Sequence, residues 1–319
     1  MYAMPADVLF LVSCSNRKTR TPSSTLMLRN MAPGTTETRA RSWLRRLEMA
    51  DGPAHAAESL YAGDHWHVVR SLSESSSKSA LRSAVLVCSA GYGLISASTK
   101  IRPYSATFTS GHPDSIARDQ SKSEIGLARR KWWSVLSSWQ GPEPGLKRSL
   151  AEVMGQYDFV LIALSPPYLD AIGDDLESAL TKANPESVSI FSAGAKPTHR
   201  FAEYCIPCDS RLRAHVGGAC HSLNIRALRL AVERASEGLD RRSLERRFAR
   251  LLEDSELSSA PQRTPMSDEE VVGFILKALK RDPQTRPTPL LRRLRDSGRS
   301  CEQARFSALF HRLRGGSDD

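Results

Sequence analysis

Apolar residues gather in four short, nearly charge-free runs. These are Val8-Leu-Phe-Leu-Val12, Ala84-Val-Leu-Val-Cys88, Phe159-Val-Leu-Ile-Ala-Leu164 and Val188-Ser-Ile-Phe191. Such runs lack the alternation of a half-exposed strand and predict strands buried on both faces, as in a parallel sheet covered by helices. Between them, apolar positions recur at helical spacing over Glu37–Met49, Ser59–Leu72, Ile116–Ser138 and Tyr168–Lys182. The alternation predicts an α/β fold, a three-layer sandwich with a mostly parallel central sheet. Two further helices are expected over Arg211–Ala235 and Gly238–Leu252, the second of them basic.

Each strand run opens into a loop of small residues: Ser13-Cys-Ser-Asn-Arg-Lys18, Ser89-Ala-Gly-Tyr-Gly93, Ser165-Pro-Pro-Tyr168 and Ser192-Ala-Gly-Ala-Lys196. One such loop is an ordinary tight turn. Four at the carboxyl ends of parallel strands predict a shared binding crevice.

Past the second basic helix the pattern changes. Ser255–Pro265 is rich in Ser, Pro and Gln and reads as a linker. Ser267-Asp-Glu-Glu270 is a capping box opening Val271–Leu279. Thr288-Pro289 opens a second helix that Gly298 closes, and Ser300 with Gln303 caps a third bearing Phe306, Leu309, Phe310 and Leu313 on one face. The expected organisation is an α/β domain over residues 1–254, a linker over 255–266, and an all-α, helix-turn-helix-like domain over 267–319.

Charge adds a partner to this picture. The 319 residues carry 45 Lys and Arg against 35 Asp and Glu, a formal net charge of +10. The excess is local, with 11 basic against 3 acidic residues from Lys277 to Arg314, and 8 against 1 from Arg17 to Arg46. Clustered basic charge attracts polyanions through counterion release, which points to a nucleic-acid partner. Arg299, Arg305, Arg312 and Arg17 are the expected DNA contacts; the alternative for the tail is a helical cap on the main domain. No apolar run approaches the roughly 20 residues of a membrane span. There is no signal-peptide pattern, and six cysteines are too few for a disulfide scaffold. A reduced, cytoplasmic protein without a membrane partner or an obligatory protein partner is expected.

The motifs narrow the chemistry further. Phosphate-binding P-loops, dinucleotide fingerprints, nucleophile elbows and HExxH sites are all missing from the chain. Cys205-Ile-Pro-Cys208 with Cys220-His221 has zinc-ligand residue types, but adjacent residues on a helix point about 100° apart. No metal and no cofactor is therefore expected. The loops offer Asn, Lys, Ser, Tyr and scattered Asp and His, an inventory suited to hydrolysis of an N-glycosidic bond. That reaction needs an amide or carboxylate to place water, donors for the departing base and an aromatic ring to hold it. The enzyme must also flip the nucleotide out of the helix. Asn16 and Asp114 are the catalytic candidates, with Asp209 a second acid. Ser13, Cys14, Ser15, Lys18, Ser89, Gly91, Tyr92, Tyr104, Ser165, Tyr168 and Lys196 are the substrate-binding candidates.

Leu11-Val-Ser-Cys-Ser-Asn-Arg-Lys18, Tyr61-Ala-Gly63, Ser89-Ala-Gly-Tyr-Gly-Leu-Ile95 and Ile101-Arg-Pro-Tyr104 together resemble a bacterial family of the uracil-DNA-glycosylase-like fold. Its pattern is a strand ending in SC.KRK, an SA.YGL turn and an I.PY step, shared with the YaaA-type peroxide-stress proteins and a domain of archaeal tRNA-guanine transglycosylases. The resemblance covers residues 8–235 and leaves the tail outside. It implies that Asn16 takes the place of the water-handling Asp or Asn after the first strand. The Gly and Pro of that motif are missing here, and Ala195-Lys-Pro-Thr-His199 stands where the family has His-Pro-Ser. With its added tail the chain is similar to the Brig-type anti-phage glycosylases, which implies removal of glucosylated hydroxymethylcytosine from phage DNA, leaving abasic sites. The expected function is thus a monofunctional DNA glycosylase in antiviral defence, with Lys18 and Lys196 the candidates for lyase chemistry. The alternatives are a base-exchanging transglycosylase on DNA or tRNA, and a non-catalytic DNA-binding regulator.

Overall fold

A computed structural model describes residues 5–143, 145, 149–255 and 264–315. The chain divides into two units, residues 1–256 and 257–319, each with its own apolar core.

The first unit is α/β. Its elements in chain order are β1 (Asp7–Ser13), α1 (Thr36–Met49), α2 (Asp64–Lys78), β2 (Arg82–Ser89), β3 (Gly93–Ser96), α3 (Ile125–Ser137), β4 (Phe159–Ala163), α4 (Pro166–Ala171), α5 (Gly173–Leu180), β5 (Val188–Phe191), α6 (Leu223–Glu233) and α7 (Arg241–Glu253), with shorter turns between. The sheet order is β3-β2-β1-β4-β5. β1 pairs in parallel with β2 and with β4, and β4 pairs in parallel with β5. Val8 to Val12 are fully buried, because β1 has a neighbour on each edge and helices over its faces. All four apolar runs are strands of this sheet. The helices form two groups that pack among themselves, α1 with α3 and α4, and α2 with α6, an arrangement compatible with a three-layer sandwich.

The fifth strand was not expected. Gly93–Ser96 turns back from Ser89 and runs antiparallel along the edge of β2. Three expected helices are also shorter. The stretch from Ser59 breaks at Gly63, whose φ of 95° suits glycine, and α2 starts after it. Residues 116–124 form turns rather than the start of α3, because Thr107 and Asp114–Ile116 hold one another by backbone hydrogen bonds of 3.0 Å. Gly217 and Gly218, both at positive φ, interrupt the helix expected from Arg211.

The second unit contains α8 (Asp268–Arg281), α9 (Pro287–Asp296) and α10 (Gln303–Gly315). Ser267 and Glu270 form the expected capping box, and Pro287 rather than Thr288 opens α9. Val271, Ile275, Leu290, Leu294, Phe306 and Phe310 build its core. Thr264–Pro265 lies beside Arg299–Ser300 in a two-residue parallel ladder. Residues 256–263 of the expected linker lie outside the described residues.

Candidate functional site

From β1 the chain winds outward to β2 and β3, then returns past β1 to β4 and β5. The winding reverses between β1 and β4, and a crevice must open beyond their carboxyl ends. A cavity of about 380 Å³ lies there. Its walls are Ser13–Asn16 after β1, Ala163, Ser165, Pro167 and Tyr168 after β4, Thr107 and Thr109, and three residues from helical segments, His65, His221 and Asn224.

The β1 loop is pinned from below. The Cys14 backbone N–H donates to the Cys88 carbonyl at 3.1 Å, and the Ser15 hydroxyl donates to the Ala62 carbonyl at 2.9 Å. Lys18 Nζ donates back to the Ser15 carbonyl at 2.8 Å and lies 4.1 Å from the centre of the Tyr104 ring. Asn224 fixes the opposite wall. Its Oδ1 accepts from the Ala193 N–H at 2.7 Å and its Nδ2 donates to the Leu164 carbonyl at 3.0 Å, tying the loops after β4 and β5 together. Asn16 stands exposed at the mouth, with no hydrogen-bond partner for its side chain among the described residues.

His65, on the first turn of α2, is among the wall residues the sequence reading missed, with Thr107, Thr109, His221 and Asn224. Burial pushes its pKa from 6.5 down to about 4, against the opposing pull of a hydrogen bond to the Ser13 backbone, so the ring is neutral at pH 7. Its Nε2 is buried without a partner among the described residues. With the Ser13 backbone accepting from the other ring nitrogen, Nε2 carries the lone pair, buried behind the pocket wall. The neighbouring Asp64 is engaged elsewhere, accepting from Ser222 Oγ and from Arg226 Nη2 at 2.6 Å. The available signal was position alone, since His65 stands two residues after the Tyr61-Ala-Gly63 step.

The remaining candidates sort by burial. Ser13, Cys14, Ser15, Asn16, Ser165 and Tyr168 come together in the pocket wall. Tyr168 donates to or accepts from Cys14 Sγ at 3.2 Å and packs edge-on against Phe108. Asp114 is a correction. Its side chain is 0% exposed and accepts from the backbone N–H of Arg29 at 2.8 Å, from the Arg29 guanidinium and from Ser105 Oγ at 2.7 Å. Burial alone would raise its pKa, but these bonds hold it below the ordinary carboxylate value. Buried and bonded in this way, Asp114 ties two loops together and stands outside the pocket wall.

Tyr104, Ser89, Gly91 and Tyr92 are corrected for the same reason. Tyr104 is fully buried, sharing hydrogen bonds of 2.9 Å with Tyr61 and 2.8 Å with Ser89. Ser89 is equally buried and caps its own turn, accepting from the Tyr92 N–H at 3.0 Å. Gly91 lets that turn lie against the Tyr104 ring, where a Cβ would stand 2.5 Å from ring atoms. Tyr92 is buried, with its hydroxyl on the backbone of Arg102. These four build the support under the β1 loop, not a stacking surface. Lys18 belongs to that support too, and burial lowers its pKa to about 8.

Lys196 and Arg17 are exposed outside the pocket wall. Asp209 caps the turn after it and pairs with Arg211 at 2.7 Å. In the second unit Arg305 pairs with Asp268 and Arg299 with Glu270 at 3.5 Å, whereas Arg312 is exposed without a partner among the described residues. Burial pushes the Cys205 and Cys208 thiols up to about 11 and about 12, leaving both protonated at neutral pH. Among the described residues no group of three or more His, Cys, Asp or Glu side chains is placed to hold a metal ion, and no helix is long and apolar enough to cross a membrane. Comparison with family models, curated proteins and solved structures finds no match to this chain.

Proposed function

We propose that the chain is a DNA glycosylase, hydrolysing the N-glycosidic bond of a modified base on a uracil-DNA-glycosylase-like scaffold. The observation that supports this best is that Asn16 and His65 both line one ligand-sized cavity at the reversal of the sheet. The Asn16 amide holds a water at the mouth, and His65 accepts its proton once substrate binding opens the buried Nε2 to the site. The water oxygen bonds to the anomeric carbon as the carbon–nitrogen bond breaks, and the base departs with that electron pair. A base with a pKa near 4 is weak, but an oxocarbenium-like transition state asks little of it. Ser165, Thr107 and His221 supply donors for the departing base.

Hydrolysis fits this wall better than base exchange. A transglycosylase needs a carboxylate nucleophile beneath the sugar, and no carboxylate lines the pocket among the described residues. The tail is the proposed DNA-docking module, helix-turn-helix-like, with Arg312 on phosphate. The resemblance read in the sequence makes glucosylated hydroxymethylcytosine in phage DNA the first substrate to try, and antiviral defence the setting.

An abasic-site assay tests the reading. Unmodified DNA, uracil-containing DNA and DNA with glucosylated hydroxymethylcytosine are incubated with the protein, cleaved at abasic sites and resolved on a gel. Breaks on one substrate are expected, falling at least ~100-fold in Asn16→Ala and in His65→Gln. No breaks on any substrate, or breaks undiminished in both variants, would remove the hydrolytic assignment.

A further inference from the structure

A second and larger cavity, about 510 Å³, lies away from the pocket, where α7 packs beside the end of α6. Arg234, Glu237, Ser243, Arg246, Arg247 and Arg250 line it. Positions 243, 246, 247 and 250 fall on one face of α7. Four guanidiniums thus line it with one carboxylate, and Asp240, just before α7, acts on Arg246 and Arg247 from beside it.

Arg247 is the fixed member. Its side chain is 8% exposed, and its two terminal nitrogens donate to the carbonyls of Arg234 and Gly238 at 2.5 and 3.2 Å. Its Nε, also buried, has no hydrogen-bond partner among the described residues. Arg234 and Arg250 are exposed, and neither guanidinium has a partner among the described residues. Arg246 makes a long 3.3 Å bond to Ser243 Oγ. Glu237, 3.6 Å from Arg247, and the more distant Asp240 leave four guanidiniums facing two carboxylates. Burial lowers the pKa of Arg247; Glu237 opposes this and Arg234 adds to it. The cluster is therefore held together against its own repulsion, with donors unspent.

We propose that this cavity binds a phosphate group. Forked guanidiniums on several sides match a tetrahedral anion, which accepts from two or more of them at once. The phosphate belongs either to the backbone of a nucleic acid or to a small phosphorylated ligand. The site binds it whether or not the pocket cleaves a glycosidic bond.

The test uses the full-length chain, a short fluorescein-labelled DNA oligonucleotide and inorganic pyrophosphate. Anisotropy reads the first and calorimetry the second. The double variant Arg234→Ala/Arg250→Ala replaces two exposed side chains and is expected to bind at least about tenfold more weakly. Arg242→Ala removes one charge from the same helix outside the cavity, at a side chain 75% exposed, and is expected to change binding less than about twofold. A loss confined to the oligonucleotide, with the dependence of log K on log salt reduced by about 0.7–0.9 per lost phosphate contact, assigns the site to a nucleic-acid backbone. A loss confined to pyrophosphate assigns it to a small phosphorylated ligand. If neither probe distinguishes the double variant from Arg242→Ala, the phosphate site is refuted.

Discussion

His65 and Lys18 are both held toward their neutral forms by burial, and each should leave its mark on the pH dependence of stability. For His65 the folded pKa is about 4 against an ordinary 6.5. As pH falls below 6.5 the unfolded chain takes up the proton first, so stability is lost between 6.5 and 4, by about 3 kcal/mol at most. Urea unfolding at pH 7 and pH 4.5 should show a smaller loss in His65→Gln than in the unmodified chain. Equal losses would mean that the ring is not buried as described. Lys18 works in the alkaline range. Its folded pKa is about 8 against 10.5, so the unfolded chain holds the proton longer and stability rises as pH climbs from 8 toward 10.5. Tyr61, Tyr104 and Tyr168, all pushed well above 10 by burial, act in the opposite sense above pH 10. Lys18→Met should therefore flatten the rise between pH 8 and 10, measured as the urea midpoint.

Single elements depend on ties that span the sequence. Asp114 joins the loop that carries it to Arg29, 85 residues earlier. Asp114→Ala removes the shared acceptor of the Arg29 backbone N–H, the half-exposed Arg29 guanidinium and the Ser105 hydroxyl, and should cost about 1–3 kcal/mol in denaturant unfolding. A catalytic Asp114 would instead give a stable, inactive protein. This distance explains how the residue was misread, since a His-Pro-Asp-Ser turn carries no sign of a partner so far away. His65 was hidden for a related reason. It sits beside Trp66 in a helical pattern, and only the sheet brings Ser13 to it. The four buried strands were legible because each packs on both faces and so is apolar throughout. β3 was not, because an edge strand with two apolar residues, Leu94 and Ile95, between Gly93 and Ser96 looks like a turn. The β1 loop was legible as the wall of a crevice because a parallel sheet opens one at its carboxyl end where the strand order reverses. What burial did to Tyr92 and Tyr104 could not be read from their spacing.

At the scale of the whole molecule, the two units bury separate cores, so each should fold on its own. A chain ending at Glu256 is expected to keep the unfolding midpoint of the α/β unit. It should bind oligonucleotides more weakly, because the deleted residues 257–319 carry 12 basic against 8 acidic residues, with 11 of the basic ones gathered between Lys277 and Arg314. Aggregation of the shortened chain would show that the cores are not independent. Their separation also has an optical consequence. All five tryptophans and all seven tyrosines lie in the first unit, and the helical unit has phenylalanine as its sole aromatic residue type apart from His311. Emission excited at the tryptophan band reports on one unit and is blind to the other, whereas far-ultraviolet ellipticity sees the helices of both. Overlaying the two melting curves would therefore date the events separately, and a gap between them would time the loss of the tail against the loss of the sheet without a label on either.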